Sequence, residues 1–220
     1  MKVEEVKSEV IAEMERRRLV AVVRSKTAAE ALATARAVAE GGVRFVEITL
    51  TVPGAFDVIQ KLAQDPALFV GAGTVLSKEH AWEAIDCGAR FVVSPTLELD
   101  LIPICHEAGI LCATGAATPT EILTAIRKGS DMVKIFPADC LGGPHFVGQV
   151  MAALPKAATM VSGGVTLENV REYVEIGVTG IVLGSAMLRD LLSTQGHEGV
   201  VREVGRFIEA VSEAQTGVKE

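Results

Sequence analysis

Short runs rich in β-branched and aromatic residues recur along this chain every twenty to twenty-five residues or so, and that period constrains the fold more than any other feature. The runs are "LVAVVR" from Leu19, "FVEITL" from Phe45, "FVGAGT" from Phe69, "FVVSP" from Phe91, "ILCATG" from Ile110, "MVKIFP" from Met132, "TMVSGG" from Thr159 and "GIVLGS" from Gly180. Between them lie stretches such as "AAEALATARAVAE", whose apolar residues recur at three and four, the period of a helix. Start signals agree: "TAAE" from Thr27 and "TPTE" from Thr118 read as capping boxes, the second with Pro119 at the first helical position. Stop signals agree too, with Gly41, Gly88, Gly109, Gly129 and Gly177 just after helical patterns, where a left-handed cap favours glycine.

Strands that alternate with helices run parallel, and eight such units with near-continuous apolar strands predict an α/β fold closed as a (β/α)8 TIM barrel. An open doubly wound sheet is the alternative, but the first turn, "VVRSKTAAE", lacks the glycine fingerprint of that fold. The segment 3 to 17, with Val3, Val6, Val10, Ile11 and Met14 on one face, is expected to form an extra N-terminal helix covering the barrel bottom. Residues 1-220 are expected to form one domain, because 49% hydrophobic and 22% charged residues suit one large core.

A net charge of -7 argues against nucleic-acid and anionic-membrane partners, which are held by clustered Lys and Arg, and favours a small-molecule substrate. No apolar run is long enough for a membrane helix, and "MKVEEVKSEVIAEMERRR" has acids where a signal peptide is apolar, so a cytoplasmic location is expected. Cys87, Cys105, Cys112 and Cys140 show no C-x-x-C spacing and the four histidines are scattered, so no metal site is expected.

The stretch "SDMVKIFPAD" places a lysine inside an apolar strand. Side chains alternate along a strand, so Met132, Lys134 and Phe136 share one face and Val133 and Ile135 the other. The branched aliphatics suit the helix layer, which sends Lys134 into the barrel. The same parity sends Phe45, Glu47 and Thr49 inward, so an amine and a carboxylate face one cavity. A self-satisfied buried ion pair is the purely structural alternative, yet such pairs stabilise little relative to apolar packing. Both groups also lie toward the C-terminal ends of their strands, where these barrels hold their active sites.

Other polar residues collect at that rim: Arg24 closing the first strand, Thr74 the third, and Ser94 with Pro95 the fourth. The last two strands end in "SGG" (Ser162, Gly163, Gly164) and "LGS" (Leu183, Gly184, Ser185), turns whose backbone N–H groups can approach an anion, often phosphate in barrels of this kind.

"GGVRFVEITLTVPGA", "VGAGTVL", "FVVSPTL", "ATPTEI", "MVKIFPA", "SGGVTLENV" and "GSAML" occur in unbroken order. Together, over a span from about Leu19 to Leu188, they resemble the 2-keto-3-deoxy-6-phosphogluconate (KDPG) aldolases, some of which also cleave 2-keto-4-hydroxyglutarate (KHG). The resemblance implies a homotrimeric (β/α)8 class I lyase that uses neither metal nor cofactor. It makes Lys134 the Schiff-base lysine, Glu47 the acid/base, Thr74 a pyruvate contact and Phe136 the aromatic beside the lysine. Gly163, Gly164 and Ser185 become the phosphate end. Arg24 takes the role of an anion clamp, because Thr51 stands where many members have arginine. Thr114 replaces a proline of the usual pattern and Ser162 a threonine, both of which bear on substrate preference.

The chemistry gives a reason for the buried lysine. Cleaving a carbon–carbon bond beside a ketone needs an electron sink, and a protonated imine is a better sink than the ketone. An amine in water at neutral pH is almost wholly protonated, whereas apolar surroundings favour the neutral, nucleophilic form. Two other readings remain open at this point: a phosphate-binding barrel isomerase or synthase in which Lys134 never forms an imine, and a non-catalytic sugar-phosphate binder.

Overall fold

The computed structural model describes residues 3–154 and 158–217, with the side chains of 3–6 left out of the description. Eight parallel strands close in chain order into a barrel: β1 Leu19–Val23, β2 Phe45–Thr49, β3 Phe69–Gly73, β4 Phe91–Val93, β5 Leu111–Ala116, β6 Met132–Ile135, β7 Thr159–Val161 and β8 Gly180–Leu183. Every run singled out from the sequence supplies one of them. The helices alternate with the strands: α1 Val3–Arg17, α2 Ala28–Glu40, α3 Ala55–Leu62, α4 Lys78–Asp86, α5 Leu101–Ala108, α6 Pro119–Arg127, α7 Gly143–Ala153, α8 Val170–Ile176 and α9 Ser185–Gly217. The last comprises two helical segments that meet at Gly196, whose φ is 68°.

Parity divides the core into two layers. Phe45, Phe91, Leu111, Met132 and Met160 fill the barrel interior, while Val46, Ile48, Val133 and Ile135 pack outward under the helices. Phe45 stacks on Phe69 at 4.5 Å between ring centroids, which makes the lower half of the barrel solid. Helix α1 closes that end as expected, with Val10 and Met14 fully buried against the interior residues. The predicted contributions of Val3 and Val6 lie outside the described side chains.

A mostly buried polar cluster pins α1 in place. Lys7 Nζ lies 2.9 Å from Asp131 Oδ1, and the other carboxylate oxygen accepts the Cys112 N–H at 2.9 Å, with His106 Nε2 3.1 Å away. One carboxylate in the turn before β6 thereby joins α1, α5 and β5, and each of its oxygens is satisfied.

Local start and stop signals are largely as expected. Thr118 and Glu121 form a reciprocal capping box with Pro119 in the first turn. Thr27 accepts the Glu30 N–H, but Glu30 reaches back to the N–H of Lys26 rather than that of Thr27. Gly41 departs from expectation: it stays helical at φ -65°, and Gly42 takes the left-handed conformation at φ 103°. Gly41 answers to packing instead, since a Cβ there would stand 2.7 Å from a Val204 methyl of α9.

Candidate active site

Glu47 and Lys134 come from β2 and β6, on opposite sides of the barrel, and meet in its centre. Lys134 Nζ lies 3.4 Å from Glu47 Oε1, and the two residues are 6% and 1% exposed. The other carboxylate oxygen, Oε2, is buried with no hydrogen-bonding partner among the described residues. A buried polar oxygen left unsatisfied is costly. In this site it is poised to accept a proton or a hydrogen bond from a molecule entering the barrel.

Glycines on the inward face make room for Glu47 and for the backbone of the β4 rim. Gly73 of β3 adjoins Glu47 so closely that a Cβ there would lie 2.0 Å from Glu47 Oε1. Gly115 of β5 is in register with Lys134, and a Cβ on it would stand 2.2 Å from the carbonyl carbon of Pro95. Sequence reading did not single out either glycine as part of the site. The available signal was parity: both fall at inward positions in the upper half of their strands, where an apolar core residue would otherwise sit.

The rim brings most of the expected residues to one end. Arg24 Nη2 donates to Thr74 Oγ1 at 3.2 Å, and Thr74 itself adopts a positive φ of 58°. A threonine in that sparsely populated region is held there by its surroundings, as residues at binding sites often are. Phe136 stands at the mouth, 38% exposed, with its ring centroid 5.7 Å from Lys134 Nζ. That ring places an apolar wall beside the amine at the mouth of the barrel.

Three expected residues occupy the rim, two of them with their hydroxyls hydrogen-bonded. Thr49 donates to the Val23 carbonyl at 3.3 Å and lies 2.9 Å from Thr51 Oγ1, which ties the ends of β1 and β2. Ser94 is fully buried, and its hydroxyl accepts the Thr96 N–H at 3.2 Å. Pro95 presents its backbone to Gly115. Thr114, the departure expected to bear on substrate preference, points away from the interior. Its hydroxyl donates to Ser130 Oγ at 3.0 Å, and its register partner Val133 belongs to the outer layer. Strand parity therefore assigns Thr114 to packing under the helices.

The two glycine turns lie side by side because β7 and β8 are neighbours. Gly163 and Gly164 have φ of 106° and 64°, values at which other residues would be strained. Asn169 secures this turn, donating to the Gly164 carbonyl at 2.8 Å and accepting the Thr166 N–H at 2.9 Å. Gly184 precedes Ser185, the first residue of α9. The first-turn N–H groups of a helix have no acceptors within it and sit at the positive end of its dipole, so this end suits an anion. Among the described residues no group of three or more His, Cys, Asp or Glu side chains is placed to hold a metal ion.

A closed (β/α)8 barrel in which a buried amine faces a carboxylate near the C-terminal ends of the strands has the arrangement of a barrel enzyme. The KDPG and KHG aldolase family model matches residues 10–202. The 2-dehydro-3-deoxy-6-phosphogalactonate aldolase of Escherichia coli (strain K12) is 34% identical over 89% of this chain and 95% of its own. The 2-dehydro-3-deoxy-phosphogluconate aldolase of Treponema pallidum (strain Nichols) is 38% identical over 73% and 77%. A solved structure described as native KDPGal superposes with a TM-score of 0.81 at 32% identity, covering 90% of this chain and 96% of that one. The chain belongs to the KDPG and KHG aldolase family.

Proposed function

We propose that this chain is a single-domain class I aldolase that cleaves 2-keto-3-deoxy-6-phosphogluconate to pyruvate and glyceraldehyde 3-phosphate. By the same chemistry it would cleave 2-keto-4-hydroxyglutarate to pyruvate and glyoxylate. One observation carries the reading: the Lys134 amine stands 3.4 Å from a carboxylate whose second oxygen is buried and unpartnered. Stability alone gives no reason to build such a pair.

The reaction follows from that geometry. Lys134 Nζ attacks the substrate's C2 carbonyl, and Glu47 moves the protons that turn the carbinolamine into an iminium ion and water. Glu47 then takes the proton of the C4 hydroxyl, directly or through a water. The C3–C4 bond breaks, its electrons pass into the iminium, and an aldehyde leaves an enamine on Lys134. Protonation of the enamine carbon and hydrolysis of the imine release pyruvate and restore the amine. Arg24 and Thr74, joined at the rim, hold the keto acid's carboxylate. Gly163, Gly164, Gly184 and Ser185 receive the distal anion through backbone N–H groups.

The relatives carry both gluconate and galactonate names, substrates that differ in configuration at C4, so the decisive experiment is a substrate panel. 2-Keto-4-hydroxy acids of both C4 configurations, with and without a terminal phosphate, are compared by kcat/KM with coupled detection of pyruvate. The expected result is pyruvate release with the highest kcat/KM for a phosphorylated acid. No pyruvate from any member would remove the aldolase reading.

A homotrimer fits the surface. A closed barrel has no free sheet edge, so assembly must use helices and loops, and Leu76 in the β3–α4 loop and Trp82 within α4 stand 51% and 38% exposed. Sedimentation equilibrium is expected to read three chains per particle, and a one-chain mass would refute the trimer. The cytoplasm suits an enzyme of charged sugar acids whose four cysteines are free, and cell fractionation against a cytoplasmic marker checks it.

A further inference from the structure

We propose that Asp139 is a specificity-determining residue, whose fixed negative charge beside the Gly163–Gly164 turn sets how strongly the site favours a charged distal group on the keto acid. The inference rests on the aldolase reading and concerns the anion end of the same site.

Asp139 lies in the loop between β6, which carries Lys134, and α7. That loop is fastened to the anion turn, since the Ala138 N–H donates to the Ser162 carbonyl at 2.9 Å. It is closed on itself by the Gly142 N–H donating to the Asp139 carbonyl at 3.2 Å and the Gly143 N–H donating to that of Ala138 at 2.8 Å. The Asp139 side chain is thereby laid across the two glycines. A Cβ on Gly163 would stand 2.7 Å from Asp139 Oδ1, and a Cβ on Gly164 would stand 2.3 Å from Asp139 Cβ and 3.2 Å from its Oδ2. The absent side chains of the turn make room for this carboxylate as well as for an anion.

No hydrogen bond or ion pair engages the carboxylate among the described residues. Its field is felt nearby: the Tyr173 hydroxyl, buried without a partner among the described residues, is held above the usual phenol range by burial first and by the Asp139 charge second.

A carboxylate in this position opposes the very anion that the backbone N–H groups attract. Asp139 is solvent-exposed, so the repulsion between unit charges about 6 Å apart lies near the aqueous limit and weakens binding by roughly three- to tenfold at low salt and less at high salt. A phosphate with close to two charges feels it most, a carboxylate less, and a neutral hydroxyl not at all. Asp139 therefore narrows the gap between phosphorylated and unphosphorylated substrates.

Asp139→Asn keeps the shape that fits over the glycines and removes the charge. At low ionic strength it is expected to tighten inorganic phosphate, measured by calorimetry, about three- to tenfold. The KM for a phosphorylated 2-keto-4-hydroxy acid falls by a similar factor, and the gain fades as potassium chloride is added. A keto acid with a neutral distal end keeps its KM. Asp139→Ser, which also removes the charge, gives the same salt-dependent gain and guards against a folding defect peculiar to one variant. Unchanged phosphate affinity, an equal KM change on charged and neutral substrates, or a gain indifferent to salt would each overturn the proposal. Borohydride trapping of pyruvate, run on the same samples, separates the two readings. If trapping fails, the aldolase reading falls and phosphate affinity alone decides Asp139. If pyruvate is trapped but wild type binds no phosphate, binding recovered in Asp139→Asn supports the role and binding in neither overturns it.

Discussion

Lys134→Ala is expected to abolish the borohydride-trapped adduct with pyruvate and to lower kcat by about four orders of magnitude or more, the scale on which covalent catalysis is lost with its nucleophile. Wild type incubated with pyruvate and borohydride should gain one pyruvate-derived adduct per chain by intact mass, and the variant none. The alanine variant also leaves Glu47, 1% exposed, without its Lys134 hydrogen-bonding partner, and leaving a buried polar group unsatisfied costs about 1–3 kcal/mol. A fall in Tm is therefore expected with the fall in activity. Lys134→Met combined with Glu47→Gln replaces both members of the pair at nearly constant volume and should recover most of the stability while staying untrapped. Full adduct stoichiometry in either variant would show that the imine forms elsewhere.

The barrel was legible in the sequence because two kinds of local signal, strand runs and helix starts and stops, agreed along most of the chain. Each strand was a short apolar run bounded by turn residues, and helix starts such as Thr118 with Pro119 and Glu121 were written into three or four neighbouring positions. Parity then sufficed to send Glu47 and Lys134 to one cavity, because a period of two leaves only two choices for each residue. Gly73, Gly115 and Asp139 are of another kind. Gly73 matters because Glu47, from the neighbouring strand, needs its space, and Asp139 matters because its loop is fastened to Ser162 at the end of β7. Those are relations between segments distant in sequence, and neither residue's own neighbours carry them. The Gly41 expectation failed for a related reason: glycine there serves Val204, which lies in α9. Thr114 shows that a change from a family's usual residue acquires meaning only with a direction, and its direction is outward to Ser130.

Glu47→Gln tests the other half of the central pair. Glutamine has nearly the same shape as glutamate, so it fits the niche that Gly73 leaves and keeps a hydrogen-bonding group near Lys134. What it loses is the capacity to take and return a proton, which in a positioned group contributes about a hundred- to ten-thousandfold. The expected result is a kcat lower by that factor with KM changed little, since the groups that hold the keto acid's carboxylate and the distal anion remain. Pyruvate should still be trapped on Lys134, more slowly, because the amine is present and only the proton traffic of dehydration is impaired. This split distinguishes a proton carrier from a structural ion-pair partner. If Glu47 served only to neutralise Lys134, glutamine would alter stability and leave turnover near the wild-type value. The unpartnered Oε2 argues against that alternative, because a carboxylate retained for pairing alone would have both oxygens satisfied. Turnover by Glu47→Gln within a few-fold of wild type would remove Glu47 from the mechanism and leave the proton transfers to water.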